Sequence, residues 1–272
     1  MVEHTPLGKV SEYPERYDPR QLAPIPRAEG RAMLALSEPL PFVGEDVWTG
    51  YELSWLNERG KPIVAVAEFR FPCITSHLIE SKSFKLYLNS FNQERFASAE
   101  EVGRVLETDL SQGAGGAVQV ELFTLDEYRR RGLTALPGTC LDELDIAVER
   151  YQPDAGLLAL RSDAGTVEET VCSHLLRSKC PVTGQPDWAS VVIEYRGRAI
   201  CHQSLLRYIV SFRQHQDFHE QCVERIFRDV MARCAPDSLS VHARYTRRGG
   251  LDINPWRSTD RAAAPRWRLE RQ

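Results

Sequence analysis

The 272-residue chain contains no run of about 18 consecutive apolar residues, so the sequence predicts no membrane-spanning helix and no contact with membranes. Residues 1–20 also lack the apolar stretch of a signal peptide, and we therefore expect a cytoplasmic protein. The chain also has no excess of basic residues, since its formal net charge is −4. This balance argues against direct binding of nucleic acid. The ordinary balance of apolar and charged residues indicates one large or two medium globular units.

The seven cysteines are odd in number and scattered, and no two of them form a C-x-x-C pair. A disulfide framework and a structural zinc site are therefore both disfavoured. The chain also lacks a G-x-G-x-x-G motif after a predicted strand, and the "GAGG" of residues 113–116 is interpreted as a flexible connection. Any dinucleotide has to bind outside a Rossmann fold.

An internal repeat is visible when residues 80–92 are aligned with residues 201–213. The repeated apolar positions have the i, i+3, i+4, i+7 spacing of one helix face. In the first copy they are Phe84, Tyr87, Leu88 and Phe91, and in the second Leu205, Tyr208, Ile209 and Phe212. Both segments are therefore predicted to be amphipathic helices.

Each half is predicted to run strand, strand, helix, helix, strand. The strands are expected over 46–55, 62–71, 117–125, 168–177, 188–196 and 239–246, with further strands over 144–149 and near the C-terminus. The second helices, 98–110 and 217–234, begin with capping boxes at Ser98/Glu101 and Asp217/Glu220. The pattern predicts a duplicated α+β protein with antiparallel sheets and paired helices. Its parts are an arm over 1–37, extended or flexible, and modules over 38–155 and 156–272.

The two copies differ in their polar residues. Residues 80–85 read "ESKSFK" in the first copy, whereas the second copy has no charge at the equivalent positions. Conversely, the first hairpin closes with a plain turn, while the second opens into a Pro/Gly loop that contains Cys180 and Asp187. This division suggests that each copy carries one functional cluster.

Cys180 follows Lys179, and Lys179 with Arg177 would lower the pKa of the thiol if both side chains point toward it. The alternative is a buried structural thiol, which is the commoner fate of a cysteine. Asp187 is either a turn residue or an acid whose pKa is raised by burial against Trp188. Both alternatives stay open from the residues alone.

Glu220 is either the capping partner of Asp217 or a carboxylate that accepts hydrogen bonds from a guanine-type edge. His219 beside it is otherwise a surface histidine, and Glu80 is otherwise a first-turn carboxylate. Since both glutamates lie at helix starts, one in each copy, they are candidates to meet in one pocket.

Lys82 and Lys85 lie one helical turn apart, and a second basic segment surrounds Gly249 and Gly250. The cations of that segment are Arg244, Arg247, Arg248 and Arg257. Cations beside a glycine that permits close backbone approach suit phosphate binding, although a solvated basic turn explains them equally well.

Four segments together resemble the NADPH-dependent 7-cyano-7-deazaguanine reductases, the nitrile reductases of queuosine biosynthesis, in their long two-module form. They read "ESKSFKLYLNSF", "SKCPVTGQPDWA", "FHE" and "YTRRGGLDINPWRS". The resemblance covers nearly the whole chain, and residues 80–87 match the signature helix of the family. It implies tandem tunnelling-fold modules that assemble into a barrel with active sites at interfaces, and a homodimer.

The same resemblance implies a role for each matching residue. Cys180 is the nucleophile that forms a thioimide with the nitrile carbon, and Asp187 is the proton donor. The substrate-binding residues are Glu80, Ser81, Lys82, Phe218, His219 and Glu220. The cofactor-binding residues are Lys82, Ser83, Arg248 and Gly249. NADPH is expected as co-substrate and no metal is expected.

Two rival functions share part of this pattern. A thiol-dependent nitrile hydrolase forms the same thioimide but admits water, and a non-catalytic purine- or pterin-binding protein of the same fold needs neither Cys180 nor Asp187. Oxidation of NADPH in proportion to nitrile separates the reductase from the hydrolase, and a covalent adduct separates the enzyme from the binding protein.

Overall fold

The structure is a computed structural model that describes residues 13–162, 165–260 and 263–272. The α-helices are α1 (Arg27–Met33), α2 (Ser81–Asn89), α3 (Ala99–Ala114), α4 (Leu125–Arg130), α5 (His202–Ser211) and α6 (His219–Cys234). The strands are β1 (Pro24–Pro26), β2 (Val43–Leu56), β3 (Pro62–Pro72), β4 (His77–Ile79), β5 (Gln119–Phe123), β6 (Thr139–Cys140), β7 (Thr166–Lys179), β8 (Pro186–Arg198), β9 (Ser238–Tyr245) and β10 (Leu251–Ser258). None of the helices in these ranges is both long enough and apolar enough to span a membrane.

Two compact units divide the chain. Among the described residues, the first contains 13–33, 46–132 and 247–253, and the second contains 34–45, 133–162, 165–246, 254–260 and 263–272. These units are defined by dense mutual contacts and each combines separate stretches of the chain. They do not correspond to linear modules, so the arm and module boundaries expected from the sequence stay predictions. Within the arm, β1 pairs antiparallel with β4 and Ile25 is buried.

The first unit is built on neighbouring strands in the order β5-β3-β2, with β3 and β5 antiparallel. Its core combines sheet residues such as Phe69 with one face of α2 and of α3. The apolar face predicted for residues 80–92 is buried there, because Phe84, Tyr87 and Phe91 are all fully enclosed. The helical spacing therefore correctly predicted which face of the helix packs against the core.

The second unit repeats this arrangement with strands in the order β9-β8-β7-β6. β7 pairs antiparallel with β8, and β8 with β9, whereas the short β6 runs parallel to β7. Leu205, Tyr208, Ile209 and Phe212 are again buried, as predicted. The expected α+β class with antiparallel-rich sheets and paired helices is thus confirmed, while the barrel stays a prediction.

Equivalent hydrogen bonds confirm the duplication at atomic detail. At the start of α2, the Ser83 hydroxyl donates to the Glu80 carbonyl at 2.6 Å, and at the start of α5 the Ser204 hydroxyl donates to the Cys201 carbonyl at 2.7 Å. Farther along, Tyr87 donates to Asp109 at 2.6 Å and Tyr208 donates to Asp229 at 2.7 Å. The serine bonds hold the start of the first helix in each copy, and the tyrosine bonds tie that helix to the second.

Three local expectations need correction. Residues 144–149 form no strand. The "GAGG" segment is the end of α3 rather than a flexible connection, because Gly115 adopts φ 68° and donates to the Ser111 carbonyl. Ser98 caps α3 as expected, but the Glu101 side chain accepts from Ala97 N–H, one residue before the cap.

Candidate active site

A β-hairpin of the second unit positions Cys180 and Asp187. Cys180 follows the last residue of β7, and Asp187 is the second residue of β8, opposite Ser178. The loop is closed by hydrogen bonds from Cys180 N–H to the Gln185 carbonyl and from Gly184 N–H back to the Cys180 carbonyl. Only 3% of Cys180 and 6% of Asp187 is exposed. The hairpin therefore presents a thiol and a carboxyl group on its buried face.

The two cations near Cys180 point away from it. Burial alternates along the end of β7, with Ser178 and Cys180 buried and Arg177 and Lys179 on the other face. The Lys179 ammonium donates to Gln214, and Arg177 donates to the Arg213 carbonyl at 2.8 Å. The condition for electrostatic activation of Cys180 by these two residues is therefore not met.

Asp187 lies against His219 rather than against Trp188. Consecutive strand residues face opposite sides of a sheet, and Trp188 is accordingly 39% exposed beneath the guanidinium groups of Arg177 and Arg213. On the buried face, His219 Nε2 lies 3.4 Å from Asp187 Oδ2. The expectation that Trp188 buries Asp187 is thus wrong, while the expected burial itself is confirmed.

His219 is held by Tyr245, a residue that the sequence did not single out. The two rings stack with centroids 3.8 Å apart and planes 9° from parallel. Burial raises the pKa of the Tyr245 hydroxyl and of the neighbouring Cys222 thiol, so both stay protonated at neutral pH. Cys222 is therefore a neutral thiol. The sequence placed Tyr245 in a predicted strand and at the start of the segment "YTRRGGLDINPWRS" but assigned it no role.

Backbone bonds bring the start of α6 beside the hairpin. Lys179 N–H donates to the His215 carbonyl at 2.8 Å, and Asp217 N–H donates to the Lys179 carbonyl at 3.2 Å. Both bonds are made by Lys179, the residue before Cys180. Phe218 and His219, which follow Asp217, therefore lie near the hairpin. The second unit thus brings together the residues that the resemblance assigns to catalysis and base recognition.

Glu220 is not the partner of an Asp217 capping box. Phe218 occupies the N-cap position, one residue later than expected, so Glu220 is the second residue of α6. Asp217 Oδ1 instead accepts from Phe218 N–H at 3.0 Å. Glu220 is nevertheless only 4% exposed. An Asp217 capping box therefore does not explain why Glu220 is buried.

In the first unit, Glu80 is the N-cap of α2. Its carboxylate oxygens accept from the N–H groups of Lys82 at 2.7 Å and Ser83 at 2.8 Å. The Ser83 hydroxyl is fully buried, donates to the Glu80 carbonyl and accepts from Ala23 N–H at 3.0 Å. Ser81 and Lys82 are partly exposed at the helix start.

Gly249 and Gly250 form a close backbone approach within the first unit. Both have positive φ, 60° and 70°. A Cβ on Gly249 would lie 3.3 Å from Lys85 Nζ, and one on Gly250 would lie 2.3 Å from Glu52 Cδ. A cavity of about 240 Å³ lies here, lined by Tyr13, Glu52, Lys85, Leu88, Asn89, Asn92, Gly249 and Gly250.

The predicted basic segment divides in the structure. Arg257 is fully buried and donates to Glu224 at 2.9 and 3.1 Å, and Arg244 donates to Gln272 at 2.9 Å. These two arginines hold the second unit together and do not form a phosphate-binding surface. Arg247, by contrast, lies over the Tyr51 ring in the first unit.

Two family models match parts of this chain. A family model described as "Nitrile reductase, 7-cyano-7-deazaguanine-reductase N-term" matches residues 13–122, and one described as "QueF-like protein" matches residues 186–264. These matches indicate a nitrile reductase. The first match includes Glu80, and the second includes the residues from Asp187 to Gly249.

Two curated relatives are both named NADPH-dependent 7-cyano-7-deazaguanine reductase. The one from Chromohalobacter salexigens is 57% identical over 100% of this chain and 98% of its own length. The one from Dechloromonas aromatica is 57% identical over 96% of this chain and 92% of its own length. The chain therefore belongs to the NADPH-dependent 7-cyano-7-deazaguanine reductase family.

A solved structure, described as "Crystal structure of the archaeosine synthase QueF-Like in the apo form", is also similar. It aligns with 36% of this chain and 95% of its own chain, with 20% identity and a TM-score of 0.30. The tunnelling-fold assignment of the modules therefore stays a prediction.

Proposed function

We propose that this chain reduces the nitrile of 7-cyano-7-deazaguanine to the primary amine of 7-aminomethyl-7-deazaguanine, with two NADPH consumed per substrate. The observation that carries the proposal is the hairpin that buries Cys180 and Asp187 on one face, in a chain that is 57% identical to reductases of that name. The product is a precursor for queuosine modification of tRNA. The proposed substrate is the free base, and the enzyme does not act on nucleic acid.

Cys180 is the proposed nucleophile. The S–H bond of Cys180 breaks as its sulfur bonds to the nitrile carbon, and Asp187 gives a proton to the nitrile nitrogen, which converts the triple bond to a thioimide. The thiol proton replaces the one that Asp187 gives, so this addition needs no net proton. Thioimide formation matters because a nitrile is a poor hydride acceptor and a protonated thioimide is a good one. His219, 3.4 Å from Asp187, is suited to orient the carboxyl group and to restore its proton.

NADPH supplies a hydride in each of two successive reductions. After the first, the carbon–sulfur bond breaks, Cys180 regains its thiol and the substrate is an imine. The second reduction and one more proton convert the imine to the amine, so electrons and protons balance at two hydrides and two protons. Both catalytic groups are almost fully buried, which helps to keep water from hydrolysing the thioimide and imine.

Glu220 is the proposed acceptor for the donor edge of the deazaguanine, with His219 and Phe218 beside it. A carboxylate accepts two charge-assisted hydrogen bonds from adjacent N–H groups, which fits a guanine-type edge. Support comes from the 4% exposure of Glu220 at the start of α6, in the same unit as Asp187 and His219. Glu80, Ser81 and Lys82 are the proposed substrate residues of the first unit.

Of the four residues expected to bind NADPH, Lys82, Arg248 and Gly249 are proposed here. The first unit fits such a ligand at Gly249, where a missing Cβ, the Lys85 ammonium and the 240 Å³ cavity allow a phosphate to approach the backbone. Lys85 therefore joins the proposed set. Ser83, whose hydroxyl is buried, is better suited to hold the start of α2 than to contact a ligand.

Assembly into tunnelling-fold barrels and a homodimer are parts of this proposal that rest on family resemblance, and a cytoplasmic location is a part that rests on the sequence alone. Light scattering of the purified chain tests the dimer directly. A monomer at the concentrations used for turnover would contradict that part alone.

The decisive experiment is a titration of the nitrile against NADPH absorbance. We expect two NADPH oxidised per nitrile consumed and a covalent protein adduct in the absence of NADPH. Nitrile loss without NADPH oxidation would instead indicate the hydrolase, and binding without adduct or turnover would indicate a purine-binding protein.

A further inference from the structure

A second cluster of reactive side chains lies in the second unit, apart from the residues assigned to nitrile reduction. The Cys140 sulfur, an Asp142 carboxylate oxygen and a His174 ring nitrogen all lie within 4.8 Å of one another. These are three different ligand types of the kind that bind divalent metals. Cys140 and His174 are exposed, so the cluster is open to solvent.

A second cysteine lies beside this cluster. Cys140 lies directly opposite Cys172, because β6 runs parallel to β7 with these two residues in register. Two C-x-[D/H] segments, 140–142 and 172–174, therefore lie side by side.

A β-bulge directs His174 toward this cluster. The register between β7 and β8 shifts between Ser173 and Leu176, so two β7 residues oppose the single residue Ser190. His174 Nδ1 lies 2.8 Å from the Ser190 hydroxyl. A hydrogen bond at one ring nitrogen orients the other for a metal, as is usual for histidine ligands.

Asp142 is held in place just as firmly. Its carboxylate accepts from the buried Ser173 hydroxyl at 2.6 Å and from His174 N–H at 3.0 Å. A carboxylate has about four lone-pair positions, so these bonds leave capacity for a metal. Residues 140–142 are otherwise linked to β7 mainly through the two-residue β6 and the bond from Leu141 N–H to the Cys172 carbonyl.

We propose that Cys140, Asp142 and His174 form a site for a thiophilic divalent metal of the zinc class. A thiolate, an imidazole and a carboxylate favour zinc over magnesium or calcium, which prefer oxygen ligands. The three ligands come from two segments, so the metal would join residues 140–142 to β7, with water completing its coordination. The site departs from the sequence-based expectation of no metal, because ligands drawn from two strands leave no C-x-x-C signature.

The test uses the full chain, stripped with a chelator and kept reduced, and titrated with Zn²⁺ in competition with a chromogenic chelator. Cys140→Ser and His174→Gln change exposed ligands and should fold. Cys201→Ser and His202→Gln are matched controls in the same unit. We expect about one Zn²⁺ per chain for the wild type and both controls, with affinity weakened about tenfold or more in the two ligand variants.

Co²⁺ provides a second readout, since thiolate ligation produces a charge-transfer absorption that Cys140→Ser should abolish. Equal Zn²⁺ affinity for the wild type and the ligand variants would overturn the proposal. So would a Cys140–Cys172 disulfide, found as linked peptides in chain purified without reductant, if reduction did not restore Zn²⁺ binding. Nitrile reduction is assayed in parallel, and its failure would leave this result unaffected.

Discussion

Replacement of Glu220 by glutamine separates recognition from helix capping. Glu220 is 4% exposed and does not form the Asp217 capping box. If it accepts hydrogen bonds from the deazaguanine, Glu220→Gln places an NH₂ donor against a donor of the ligand. A buried mispairing of this kind costs about 1–3 kcal/mol. That cost weakens nitrile binding about 5- to 150-fold.

The assay compares nitrile affinity by calorimetry, adduct formation by mass spectrometry, and Tm. Glu101→Gln is the matched control, since Glu101 is a glutamate in the first turn of the equivalent helix of the first unit and accepts from Ala97 N–H at 2.8 Å. We expect Glu220→Gln to lose affinity and adduct with nearly unchanged Tm, and Glu101→Gln to leave nitrile binding intact. A lower Tm with normal nitrile affinity would refute the recognition role of Glu220.

Three further outcomes are expected. Cys180→Ala should abolish the adduct and turnover at a stability cost of about 1 kcal/mol, measured by denaturant unfolding; residual nitrile reduction would refute the thioimide mechanism. Lys82→Ala should raise the KM for NADPH more than the KM for the nitrile, and equal effects in steady-state kinetics would contradict its cofactor role. Asp109→Asn should lower the free energy of unfolding by about 2 kcal/mol, because one carboxylate oxygen accepts from both Tyr17 and Tyr87; a loss no larger than that of the exposed Asp126→Asn would contradict this.

Local sequence patterns determined most elements of the fold. The spacing of Phe84, Tyr87 and Phe91 predicted a buried helix face, and the matching residues of the second copy behaved alike. This works because side-chain periodicity is a property of the backbone, 3.6 residues in a helix and 2 in a strand. The duplication was visible for the same reason, since both copies bury the same face.

The positions of Lys179 and Trp188 needed strand register. Proximity in sequence suggested that Lys179 acts on Cys180 and that Trp188 buries Asp187. Because side chains alternate along a strand, Lys179 and Trp188 instead lie on the face opposite to Cys180 and Asp187. Residues 144–149 carry apolar character but pair with no strand, because pairing depends on what lies alongside. The same limit applies to Tyr245, whose stacking on His219 joins residues far apart in sequence.

The sequence by itself determined the family, the two copies and the candidate nucleophile, because these depend on residue identity and short-range spacing. Only the tertiary structure decided that Asp187 faces His219, that Tyr245 stacks on His219, and that Cys140 lies opposite Cys172. Such contacts are long-range, and their geometry follows from strand register, a β-bulge and the packing of helices on sheets. One residue of register reverses which face a side chain occupies, and the choice of the neighbouring strand depends on residues distant in sequence.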